Sequence, residues 1–261
     1  MRIPKPLFSW IAAVLTAGVF GAIVFFPWQS VSWRWLFLAG LLASAMIETI
    51  VCGSIILHAN EQKLRRQLVV VAVFFVLASA LCMIVADTIT MRYGLLALAP
   101  SLLLIYLYNV STMTTPPTLS QVTDVLFMAY AIIVLAFFFL LVFLFEVVSF
   151  FSVPIFGLIF VAGAGAALLT NAAFWQAGVS MRRHKLLVSG FALLGAEFYA
   201  VMSLLPTGSL VNALTMVVVF VSGLRICQYI LMGQGHHPAV RRQIMTTAIF
   251  LALILSTAQW I

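Results

Sequence analysis

Val219-Phe220-Val221-Ser222-Gly223-Leu224-Arg225-Ile226-Cys227-Gln228-Tyr229 lies inside an apolar run that extends from Leu210 to Met232. A helix rising about 1.5 Å per residue over that length crosses the ~30 Å hydrocarbon core of a bilayer. Arg225 stands seven residues before the end of the run, roughly 10 Å below the interface at that rise. An arginine there costs at least ~2.5 kcal/mol unless it snorkels, pairs or faces water. Glu48 and Glu197 are the other two charges set comparably deep in apolar runs, and both are acids.

The rest of the chain repeats the pattern. Of its 261 residues 65% are hydrophobic and only 7% charged, against about 25% charged in a soluble domain. This is the composition of an integral membrane protein. Apolar runs of about 20 residues indicate helices, because barrel strands alternate over ~10. The predicted fold is an all-α, polytopic helix bundle forming a single transmembrane domain over residues 1–261. About nine spans are expected, at 7–27, 32–57, 67–86, 93–110, 121–146, 154–177, 186–205, 210–232 and 244–260. Arg2 and Lys5 before the first span, with Ser30-Val31-Ser32 after it, have the look of a signal peptide. The apolar core is longer than the 7–15 residues of such a segment, so it is read as a span.

All but three of the 13 Lys and Arg residues fall on one side if the N-terminus is cytoplasmic: Arg2 and Lys5, Lys63 to Arg66, Arg182 to Lys185, and Arg241-Arg242. Arg34 and Arg92 fall outside. The positive-inside rule therefore predicts a cytoplasmic N-terminus and an external C-terminus, in a cell (inner) membrane. The net charge of +7 serves topology and anionic headgroups, and nucleic acid is not an expected partner. The lipid bilayer is, and partner subunits in a membrane complex are a further expectation.

Local signals place some details. Thr118-x-x-Gln121 after Pro116-Pro117 has the form of a capping box that starts the fifth span. Val161-Ala162-Gly163-Ala164-Gly165-Ala166-Ala167 is the smallest-residue stretch, and such a surface lets neighbouring backbones approach closely. Cys52, Cys82 and Cys227 all lie in apolar runs and read as small buried hydrophobes.

Glu48 is about 14 Å and Glu197 about 17 Å from the cytoplasmic ends of their spans, counting residues at the helical rise. Asn171, about 9 Å deep, is close to the level of Arg225. Glu48, Glu197, Arg225 and Asn171 are the candidate substrate or ion site. An Arg225–Glu48 or Arg225–Glu197 pair serves equally as a working polar site or as a neutral lock between helices. Glu146 reads as interfacial. His58, His184, His236 and His237 map to turns, so no transmembrane haem, other cofactor or metal site is expected. No nucleophile or metal set marks a lipid-acting enzyme.

Tyr108-Asn109 followed by Pro117-Thr118, and Arg225-x-x-x-Tyr229, resemble fragments of the membrane-anchor subunits of the dimethyl sulfoxide reductase family. That resemblance implies a quinol-binding anchor that passes electrons to iron–sulfur partners. The family's His-Leu-Gly motif is His58-Ala59-Asn60 in this chain, on the opposite side of the membrane by charge. The functional expectation is thus a small-solute or proton-coupled permease, with a quinone-reactive anchor subunit as the alternative.

Overall fold

Thr118 and Gln121 start the longest helix by reciprocal capping. The Gln121 amide donates to Thr118 Oγ1 at 3.4 Å, and the Thr118 amide donates to Gln121 Oε1 at 3.2 Å. Two N–H groups that the helix itself leaves unpaired are satisfied this way. In the computed structural model, residues 5–25, 62–86, 88–112, 118–150, 154–176, 181–233 and 238–258 are described, with Ala43, Ile47 and Ile50. They form α1 (Lys5–Phe25), α2 (Gln62–Val85), α3 (Ile89–Ser111) and α4 (Leu119–Phe150). There follow α5 (Ile155–Gln176), α6 (Met181–Met202), α7 (Ser209–Leu231) and α8 (Pro238–Thr257).

All eight are long and apolar enough to cross a membrane, with mean hydropathies from 1.4 to 3.1. The chain is a multi-pass membrane protein. The expected span 32–57, with Glu48, lies outside the described residues except for Ala43, Ile47 and Ile50, which are helical.

Several helices extend beyond the expected spans, although α6 stops at Met202 rather than 205. α3 starts at Ile89 rather than 93, α6 at Met181 rather than 186, and α8 at Pro238 rather than 244, while α4 continues to Phe150. Hydropathy marks the hydrocarbon boundary, whereas backbone hydrogen bonding carries a helix on into the headgroup layer. Pro238 suits a first helical position, where no intrahelical N–H is missed.

Contacts divide the chain into two compact units, Met1–Ala136 and Phe137–Ile261. In the first, α1 packs on α3 and α2. Its buried face is Ser9, Ala12, Ala13, Thr16, Phe20 and Ile23, a helical stripe of mostly small residues. The Phe25 and Tyr93 rings, 6.0 Å apart, bring the end of α1 to the start of α3, so the two run antiparallel. α3 is tied to α2 by the buried Tyr106 hydroxyl, which donates to the Leu68 carbonyl at 3.0 Å.

In the second unit, α5 and α6 form the closest pair. A Cβ added at Gly163 would lie 3.0 Å from the Ala192 carbonyl oxygen, and one at Gly195 would lie 2.4 Å from Ala166 Cβ. Gly165 meets Leu140 and Phe137 of α4. The small-residue stretch thus sits between α4 and α6, as its composition predicts. The Tyr199 hydroxyl donates to Leu144 O at 3.0 Å, joining α6 to α4. α7 lies against α6 and α5, and α8 against α7.

Candidate functional site

Glu197 belongs to the exposed stripe of α6, with Leu186, Leu193 and Val201 before and after it at helical spacing. It lines an open groove of about 400 Å³ between α6 and α7. The α6 wall is Phe191, Leu194, Phe198 and Val201, and the α7 wall is Val219, Phe220 and Gly223. Phe220 is the rigid floor. It is buried, with its ring 5.5 Å from Phe191 in an edge-on contact and 5.7 Å from Phe137. Among the residues lining the groove, Glu197 is the single ionisable group, and no hydrogen bond or ion pair of Glu197 is found among the described residues.

Arg225 is not part of this groove. It lies five residues beyond Phe220, which is about 7.5 Å further along α7 and roughly 140° around it. Glu197 and Arg225 are therefore not brought together. Arg225 is half-buried in a polar belt on the last turns of α7, between Ser222 and Gln228. The Gln228 amide nitrogen donates to the Ala173 carbonyl of α5 at 2.8 Å. From α8, Thr247 Oγ1 lies 2.7 Å from Ser222 Oγ, and Gln243 Nε2 donates to the same oxygen at 3.3 Å. α5 and α7 run parallel, so the register set by Gln228 and Ala173 puts Arg225 level with Thr170 and Asn171. Glu48 lies outside the described residues.

A second carboxylate has a defined partner. Glu146, half-buried near the end of α4, accepts a hydrogen bond from the Ser209 hydroxyl at the start of α7. Nearby, the Thr207 hydroxyl donates to Asn212 Oδ1, and Asn212 Nδ2 returns to the Thr207 carbonyl at 3.2 Å. This buried asparagine closes the turn between α6 and α7. Glu146 is thus more than interfacial, because it joins two helices.

The phenylalanine walls were not singled out by sequence reasoning. Phe191, Leu194, Phe198 and Val201 fall at i, i+3, i+7 and i+10, a stripe beside Glu197 that helical spacing alone could have shown. No family model, curated protein or solved structure matches the chain.

Proposed function

We propose that the protein is a proton-coupled permease for small solutes in a cell (inner) membrane, with Glu197 as its working carboxylate. The observation that carries this reading is a carboxylate about 7.5 Å inside the end of a spanning helix, in an apolar groove without a counter-ion in its walls. Intramembrane acids are rare and usually mark substrate or proton pathways. A group that exchanges a proton for a solute needs space beside it and no permanent partner, and the groove offers both. The Arg225–Asn171–Gln228 belt is read as the opposite, cytoplasmic half of the path.

Nine crossings, with the N-terminus inside and the C-terminus outside, belong to the same proposal. Its support is the antiparallel contact of α1 and α3. α3 follows α2 through a short turn, so α1 and α2 run the same way and the intervening chain has to return to the face it left.

The anchor-subunit alternative is favoured by α8, which is attached along one side, with Ile244, Met245, Ile249, Phe250 and Leu253 all exposed. Purification of N-terminally tagged protein in mild detergent separates the two readings. A permease runs alone or with copies of itself, whereas an anchor brings stoichiometric partners. Reconstituted alone in vesicles with an internal pH dye, the permease should move protons when its solute is added across a screened set. Glu197→Gln should abolish that signal. Proton movement that survives Glu197→Gln refutes the assignment.

A further inference from the structure

We infer that the groove between α6 and α7 binds a lipophilic organic cation, taken up from the hydrocarbon layer and held against Glu197. This rests on the reading of Glu197 as the working carboxylate and adds the class of substrate. The volume of about 400 Å³ lies in the range of drug-sized ligand sites, which are mostly apolar and aromatic with few polar groups.

The lining selects the occupant by elimination. A metal ion needs several oxygen ligands, and the groove walls offer one carboxylate. An anion would be repelled by Glu197 and finds no Lys, Arg or His in the walls. A neutral acyl chain would fill the apolar space but leave the charged carboxylate unpaired in hydrocarbon, which is costly. An organic cation with a large apolar surface satisfies both parts. Its charge pairs with Glu197, and the rings of Phe191, Phe198 and Phe220 supply apolar contact and cation–π attraction.

Proton and cation compete for the same oxygens. Binding places the charge of the cation against the Glu197 carboxylate, which forms the ion pair. None of the groups facing Glu197 across the groove, Val219, Phe220 and Gly223 of α7, is titratable.

Tetraphenylphosphonium is the probe. Equilibrium dialysis against the protein in detergent should show one saturable site. Glu197→Gln should weaken it at least about tenfold. Gly223→Leu keeps the carboxylate and fills the groove. A Cβ at Gly223 meets nothing closer than Phe191 Cε1 at 4.0 Å, so this variant should fold and still lose about tenfold in affinity. The isosteric anion tetraphenylborate should not compete. The absence of saturable binding, equal binding by both variants, or equal competition by the anion overturns the inference. Glu197-dependent transport of other solutes without phosphonium binding would refute the cation class and leave the permease intact. Saturable, Glu197-dependent binding with no proton movement in vesicles would support the cation site and refute the permease.

Discussion

Two kinds of buried hydroxyl in this protein make opposite predictions. Most Ser and Thr side chains inside the spans turn back on their own helix, as Thr170 does to the Ala166 carbonyl at 2.7 Å. Thr16 and Thr215 are also buried, but their hydroxyls have no hydrogen-bond partner among the described residues. A hydroxyl left unbonded in an apolar setting costs about 1–3 kcal/mol by mutational data. Thr16→Val and Thr215→Val keep the shape and remove that cost, so both should be neutral or stabilising by about 1 kcal/mol. Tyr199→Phe should go the other way, because its hydroxyl holds Leu144 across two helices. Interhelical bonds of this kind average about 0.6 kcal/mol and reach about 1.7. Unfolding in mixed detergent micelles checks all three, and a Thr16→Val variant less stable than wild type refutes the first expectation. Glu197→Gln should lose activity without losing stability, since it removes a charge that has no partner in its groove. In a double-mutant cycle Glu197 and Arg225 should couple by less than about 0.5 kcal/mol, as separated sites do. Strong coupling there would contradict the geometry.

Between helices, the glycines rank by what an added methyl would strike. At Gly195 it meets Ala166 Cβ at 2.4 Å, an atom fixed to the backbone. At Gly163 it meets the Ala192 carbonyl at 3.0 Å, and at Gly165 the far end of Leu140 at 2.6 Å. A leucine tip can swing away, but a carbonyl or an alanine Cβ moves only with its helix. Alanine should therefore hurt most at Gly195 and Gly163, by about 1–3 kcal/mol, and less at Gly165. At Gly94 and Gly190, where nothing lies within 4 Å, it should be tolerated and add about 1 kcal/mol of helix propensity. Equal tolerance at all five positions would mean that α5 and α6 do not pack closely. The run Val161–Ala167 announced half of this contact in the sequence. Gly195 did not stand out, because it is a lone glycine among leucines. The stripe beside Glu197 follows from helical spacing, but which side of α6 faces the core does not. In a helix that is apolar all round, lipid and protein neighbours select the same residue types, and no polar stripe marks the direction to the core. The capping box was legible because its bonds are local, four residues long. The Glu146–Ser209 bond spans 63 positions, and no local rule reaches that far.

At the scale of the whole molecule, the proposed sidedness of the termini rests on parity together with charge. Neighbouring helices from α2 to α8 are close in sequence and pack antiparallel where contacts are seen within a unit. For example, Ser222 of α7 meets Thr247 of α8, and Phe191 of α6 meets Phe220 of α7. Within Phe137–Ile261 the helices α5 to α8 thus alternate, and within Met1–Ala136 so do α2 and α3. α1 runs with α2, as its contact with α3 requires. If the 36 residues between Phe25 and Gln62 return across the bilayer, the count is nine and the termini lie on opposite faces. If they do not, α1 and α2 cannot both span while running in the same direction. In that proposal charge supplies the sign. The basic residues Lys185, Arg241 and Arg242 lie at the starts of α6 and α8, ends that alternation puts on one face, and the positive-inside rule makes that face cytoplasmic. Reporters inserted at the N-terminus and in the Thr112–Ser120 turn should accordingly read cytoplasmic, and a C-terminal fusion should read external. A cysteine at position 43 or 47 should also label poorly from either aqueous side if that segment lies within the bilayer. A cytoplasmic C-terminus together with a cytoplasmic N-terminus would refute the ninth crossing. It would also require the Phe25–Tyr93 contact to be absent in the membrane, which a cysteine cross-link between those two positions tests directly.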